Sequence, residues 1–96
     1  MKVYSTWKNS TYLFDFFIGE VSDLLEDQLT KIASVDTEIY TKEKQLLWKG
    51  RIRVKFNEFG IYPIPEDLSS IELPSSVLKM LLIELRRYIK PQKSFL

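Results

Sequence analysis

"STYLFDFFIGEVSDLLEDQLTKIAS", residues 10–34, decides how the rest of the chain is interpreted. At about 100° per residue, its apolar side chains fall on one arc of a helix: Phe14, Phe17, Ile18, Val21, Leu24, Leu25, Leu29 and Ile32. Acidic side chains occupy the opposite arc: Asp15, Glu20, Asp23, Glu26 and Asp27. The spacing therefore predicts a long amphipathic helix from Ser10 or Thr11 to Ser34. Gly19 leaves open a division of this helix into two segments.

Residues 36–64 have a different character, because β-branched and aromatic residues alternate with polar ones between turn signals. Lys49-Gly50 fits a two-residue hairpin turn, and a second turn is predicted at Asn57–Gly60. The prolines in "YPIP" end the last strand or confine it to an edge. This part of the chain predicts a three-stranded antiparallel β-meander.

The C-terminal third predicts a second helix, from about Ser75 to Lys90. Ser75 or Ser76 can serve as its N-cap, and Pro91 ends it. The predicted fold class is therefore α+β, with a long N-terminal amphipathic helix, a three-stranded antiparallel β-meander and a C-terminal helix. We expect both helices on one face of the sheet. Residues 1–96 are expected to form a single domain with a disordered tail at about 91–96.

The composition narrows the classes of function. The chain has 96 residues and contains neither cysteine nor histidine. This removes thiolate chemistry, disulfides and the usual general base near neutral pH. We expect no enzymatic activity, no catalytic residues and no metal or cofactor site. With no apolar run long enough for a membrane span, the predicted location is the cytoplasm.

Charge is segregated along the chain, although the net charge is only +1. Residues 1–40 and 58–74 are acidic, whereas residues 41–57 and 75–96 are basic. In the first basic block, a turn at Lys49-Gly50 would place Trp48 on the same strand face as Arg51, Arg53 and Lys55. Cations beside an aromatic ring are typical of surfaces that bind single-stranded nucleic acid. In the second basic block, Ile83 lies among Lys79, Arg86 and Lys90 and is a candidate contact for a partner.

The acidic helix face favours another protein as the partner, because carboxylates can imitate phosphates and speed the encounter with a basic surface. We therefore predict an inhibitor of the immunity-protein or antitoxin type, which covers a basic toxin or nuclease. The predicted partner-binding residues are Asp15, Phe16, Glu20, Asp23, Glu26 and Asp27. A nucleic-acid-binding module that uses the hairpin is the alternative. A homodimer, or a small subunit of a larger assembly, is a third interpretation.

Overall fold

The predicted N-terminal helix is wrong, because its residues form two long antiparallel strands. The computed structural model describes residues 1–24 and 27–96, without the side chains of residues 27 and 28. Five strands are present in the described chain: β1 (Lys2–Trp7), β2 (Ser10–Leu24), β3 (Asp27–Thr41), β4 (Leu46–Asn57) and β5 (Gly60–Pro63). They form one antiparallel sheet in the order β1-β2-β3-β4-β5. The predicted three-stranded meander is therefore only part of a five-stranded one.

Side-chain alternation explains why residues 10–24 form a strand. Phe14 and Phe16 are fully buried, whereas Phe17 is 66% exposed. This is the two-residue period of a strand, on which neighbouring side chains point to opposite faces. Aromatic residues are also typical of strands, because they pack well on a pleated surface.

A β-bulge at Gly19 disguises this alternation. Ile18 pairs with Val35 and Glu20 pairs with Ser34, so β2 contains one extra residue at this point. The extra residue shifts the phase of the strand, so that Val21 falls on the same face as Ile18. A Cβ atom at Gly19 would lie 3.1 Å from Asp36 Oδ2, a tight approach that glycine avoids.

Two helices follow the sheet: α1 (Pro65–Ser69) and α2 (Ser75–Ile89). The prediction of a C-terminal helix is confirmed within one residue. Its N-cap, however, is Pro74 rather than a serine, and no side chain caps it. The buried positions of α2 recur at helical spacing and pack on the sheet: Val77, Met80, Leu81, Glu84, Leu85 and Ile89.

The sheet curls into a half-barrel around α2. The helix approaches both edge strands, β1 and β5, as well as β2. We call the sheet side that faces α2 the inner face, which carries Phe14, Phe16, Val35 and Ile52. The other side, which carries Asp15, Phe17, Asp36 and Arg51, is the outer face. Because one long helix covers the sheet, the prediction of two helices on one face is also wrong.

The predicted turn at Lys49-Gly50 lies within β4 instead. Residues 42–45 make the connection from β3, and Gln45 N–H donates to Thr41 Oγ1 over 3.1 Å. Ile39 pairs with Trp48 and Thr37 with Gly50, so Trp48 lies on the inner face against the core. The turn at Asn57–Gly60 is confirmed.

Residues 91–96, for which we predicted disorder, follow α2 as a short segment with a 3₁₀ turn at Lys93–Phe95. Lys93 Nζ donates to the Asn57 carbonyl over 2.9 Å, and Gln92 Nε2 donates to the Tyr88 carbonyl over 2.8 Å. The first of these bonds joins the segment to the end of β4, and the second joins it to the last turn of α2. Within the described chain, neither helix has the length and apolar character needed to cross a membrane.

We predict that Gly50→Ala destabilises the protein by about 1–3 kcal/mol, the usual cost of overpacking. The added Cβ would lie 2.6 Å from Cη2 and Cζ2 of Trp48, so the indole would have to move. Urea denaturation measures the loss in the free energy of unfolding. In a Trp48→Val background the same substitution should cost much less. Equal costs in both backgrounds would show that the indole does not exclude a side chain at Gly50.

Candidate functional site

The residues predicted to form one acidic face are divided between the two faces of the sheet. Asp15 and Glu20 lie on the outer face, where they pair with Glu38 and Ser34. Asp23 pairs with Lys31 on the inner side. Phe16 is fully buried in the core and stacks on Tyr88 at 5.4 Å between ring centroids. Glu26 and the side chain of Asp27 lie outside the described residues.

Phe17, rather than Phe16, is the aromatic side chain that β2 presents to solvent. It lines an outer groove of about 470 Å³ together with Asp15, Asp36, Glu38, Lys49 and Arg51. Most of the charges in this groove are already paired. Arg51 Nε lies 2.9 Å from Asp36 Oδ1, and Lys49 Nζ lies 3.9 Å from Glu38 Oε1. The hydrogen bond to Asp36 raises the pKa of Arg51.

Three of the four cations of β4 are therefore paired with carboxylates of other elements. Arg53 makes the strongest of these contacts: Nε and Nη2 each donate to a different oxygen of Asp67 over 2.9 Å. The Arg53 backbone N–H donates to the same carboxylate over 2.9 Å. These side-chain and backbone hydrogen bonds lower the pKa of Asp67 although partial burial opposes them. Lys55 is the only cation of the predicted nucleic-acid face that has no ion pair among the described residues, and Trp48 lies on the opposite face.

Three cations that have no ion pair among the described residues, Arg86, Lys90 and Lys93, line a cleft of about 620 Å³ between β5 and the exposed side of α2. We call it the α2–β5 cleft. Its residues come from the turn before β5, from β5 itself, from α2 and from the segment after α2: Phe59, Tyr62, Ile83, Arg86, Arg87, Lys90 and Lys93. Gly60 and Ile61 complete the wall.

Local structure places each side chain of this cleft. Residues 83, 86, 87 and 90 are spaced i, i+3, i+4 and i+7, so they share one face of α2. Asn57 Oδ1 accepts hydrogen bonds from Phe59 N–H at 2.8 Å and Gly60 N–H at 3.1 Å, which shapes the turn that carries Phe59. The Tyr62 side chain folds over Gly60, where a Cβ atom would lie 2.4 Å from the phenol oxygen.

The cleft keeps most of its positive charge. Arg87 pairs with the buried Glu84 at 3.0 Å, and this is the only ion pair of a cleft residue in the described chain. Arg86 Nε donates to the Ile61 carbonyl at 3.4 Å, and Lys93 donates to the Asn57 carbonyl, so both bind neutral acceptors. Lys90 Nζ makes no hydrogen bond or ion pair to any described residue. Two aromatic residues that line the same cleft are exposed, Phe59 by 79% and Tyr62 by 49%.

The outer edge of β5 is closed to strand pairing. Ile64 N–H donates to the Arg53 carbonyl, so by antiparallel alternation Tyr62 also directs its backbone groups to β4. Ile61 and Pro63 are left at the outer edge. Pro63 has no N–H, and Arg86 covers the Ile61 carbonyl. An extended peptide would find too few backbone groups here to add a strand.

One signal for this cleft was present in the sequence, namely Ile83 among Arg86 and Lys90. Ile83 is indeed 49% exposed and lies in the cleft. Sequence analysis did not find Phe59 and Tyr62, because only the fold brings the β4–β5 turn beside α2.

No protein-family model, curated protein or solved structure matches this chain. Across the residues that the structure describes, no group of three acidic side chains is arranged to hold a metal ion.

We predict that Asp67→Asn lowers stability at pH 7 and that the difference from the unmodified protein disappears in acid. The pKa of Asp67 is lower in the folded protein than its unfolded value of about 3.9. The ion pair therefore contributes fully above that unfolded value, and its contribution is lost as the pH falls through the lowered folded pKa. Urea denaturation from pH 7 to pH 2 measures this. Arg53→Lys is the matched variant, because it keeps the charge and loses the two-point contact. A difference that persists at pH 2 would contradict the assignment.

Proposed function

We propose that the protein is a binding module for single-stranded nucleic acid and that the α2–β5 cleft is its binding site. The observation that carries this proposal is that two exposed aromatic residues, Phe59 and Tyr62, line the same cleft as three cations that have no ion pair among the described residues. Phosphates require cations, and unpaired bases require a flat apolar surface on which to stack. The proposal keeps the class of ligand predicted for the β4 hairpin but assigns it to a different surface.

The shape of the cleft supports a short, unpaired stretch of nucleic acid. A volume of about 620 Å³ lies within the range of sites that bind small molecules, roughly 300–1,000 Å³. It therefore suits one or two nucleotides better than a duplex. The closed edge of β5 also disfavours an extended peptide as the ligand. Because the whole chain has a net charge of only +1, we expect binding to depend on this local cluster and to weaken steeply with salt.

A role in binding rather than catalysis agrees with the residue types available. The chain has no histidine and no cysteine, so it lacks the most common acid–base and nucleophilic side chains. We propose the cytoplasm as the compartment, since a cysteine-free domain of this size needs no oxidising environment.

A second candidate function is the inhibitor predicted from the sequence, and the exposure of Phe17 favours it. An exposed ring beside Asp15, Asp36 and Glu38 could anchor a basic protein surface. The pairing of Asp36 with Arg51 and of Glu38 with Lys49 leaves little negative charge for a partner. For that reason we rank it below the cleft.

We predict that Phe59→Ala weakens binding of a fluorescently labelled oligo(dT) or oligo(U) by about 1–3 kcal/mol, the usual contribution of a stacked base. Lys90→Ala should reduce the slope of log K against log salt by about 0.7, the value for one phosphate contact on a single strand. Fluorescence anisotropy in a salt series measures both quantities.

Lys49→Ala is the matched control, because it removes one exposed cation from the outer face. It should leave the salt slope nearly unchanged. Equal effects of Lys90→Ala and Lys49→Ala would show that binding depends on the overall charge of the protein and not on a particular site. No binding of either oligonucleotide at low salt would overturn the proposal.

The second candidate is tested by affinity purification after nuclease treatment. If the inhibitor hypothesis holds, a stoichiometric basic protein survives the nuclease and is lost with Phe17→Ala but retained with Phe59→Ala. If the cleft binds nucleic acid, the copurifying material disappears on nuclease treatment and is reduced with Phe59→Ala. Mass spectrometry and nucleic-acid staining of the eluates distinguish the two results.

A further inference from the structure

The two edges of the sheet differ, and the free edge is β1. Phe16 N–H donates to the Met1 carbonyl over 2.8 Å, and the Met1 amino group donates back to Phe16 O. By antiparallel alternation, Val3, Ser5 and Trp7 also direct their backbone groups to β2. The backbone groups of Lys2, Tyr4 and Thr6 therefore point away from the sheet.

Nothing in the described part of the chain covers this edge. The backbone N–H and C=O groups of Lys2, Tyr4 and Thr6 have no hydrogen-bond partner there, and all three residues are exposed. β1 contains no proline and no bulge. Its only charged residue is Lys2, at one end. Proteins commonly protect an edge strand with prolines, bulges or charged side chains along its length. β5 has such a proline, Pro63, whereas β1 has none.

We infer that β1 is a dimerisation edge, on which β1 of a second copy pairs antiparallel about a two-fold axis at Tyr4. This register uses every free backbone group of the edge, because Lys2 pairs with Thr6 of the other copy and Tyr4 pairs with its own equivalent. Shifting the partner strand by two residues in either direction leaves some of these backbone groups unpaired.

The side chains of β1 fit this register. The Tyr4 ring, 58% exposed, faces the other Tyr4 on the outer face, and aromatic cross-strand pairs are favourable. The Lys2 side chain faces Thr6 rather than another cation, so like charges do not oppose each other. On the inner side Val3 lies across from Ser5. The strand is therefore complementary to itself.

The closed edge of β5 explains why assembly would stop at two copies. A sheet with two free edges can add molecules without limit, whereas a sheet with one free edge forms a closed pair. Arg86 and Pro63 block the second edge. A second copy of this chain is thus the occupant that fits β1 best, and the inference does not depend on what the α2–β5 cleft binds.

Cysteine cross-linking tests the register, since the chain has no cysteine of its own. Tyr4→Cys should form a disulfide-linked dimer under mild oxidation. A mixture of Lys2→Cys and Thr6→Cys should give mainly the mixed dimer, whereas Glu58→Cys, on the exposed turn near β5, should remain monomeric. Equal cross-linking of Glu58→Cys and Tyr4→Cys, or no preference in the mixture, would overturn the register.

Amide hydrogen exchange on the unmodified protein gives a test without substitutions. The amides of Tyr4 and Thr6 should become protected as the concentration rises from micromolar to millimolar, whereas those of Val3 and Ser5 should be protected throughout. Analytical ultracentrifugation over the same range should show a dimer, and Tyr4→Pro should raise its dissociation constant at least about tenfold. A monomer at millimolar concentration would overturn the inference. Lys90→Ala should leave the dimer intact even where it weakens binding of nucleic acid.

Discussion

The whole structure depends on covering the inner face of a five-stranded sheet with one helix. The apolar side chains of β2, β3 and β4 converge on that face, and those of α2 close it. Burying this surface is the main favourable contribution to folding, at roughly 25 cal/mol per Å² of apolar area. A single helix is narrow compared with five strands, so the sheet must curl until both of its edge strands approach α2. The curl brings the turn carrying Phe59 beside α2 and so creates the cleft.

The sequence allowed the C-terminal helix and the turn at Asn57 to be predicted, because their signals are local. The N-terminal half failed for a physical reason. A strand with a bulge at Gly19 places Phe14, Ile18 and Val21 on its inner face at spacings of four and three. These are the spacings of a helix, so periodicity alone could not distinguish the two structures. The aromatic and β-branched residues between positions 12 and 18 were the signal for a strand, since such residues favour strands.

The candidate site was harder to predict, because charge in sequence does not show which charges are compensated. Residues 41–57 form the most basic block, yet Arg51 and Arg53 bind Asp36 and Asp67, which lie far away in the chain. The cations of α2 look less prominent in the sequence, yet Lys90 has no acidic partner among the described residues. These long-range ion pairs make the second basic block, rather than the first, the candidate binding surface. Only Ile83, an apolar residue among cations, pointed to the helix face that lines the cleft.

Arg86 connects the cleft to the edge of the sheet. Its guanidinium donates to the Ile61 carbonyl at the outer edge of β5 and contributes charge to the cleft. Removing the Arg86 side chain would lower the positive charge of the cleft and would also uncover the edge of β5. A change in binding caused by an Arg86 substitution would therefore not distinguish lost charge from altered self-association through that edge. Lys90 lies one turn further along α2, and its Nζ makes no hydrogen bond or ion pair to any described residue. Because Lys90 does not bond to the edge of β5, its removal changes the charge of the proposed site alone and separates that effect from the protection of the sheet edge.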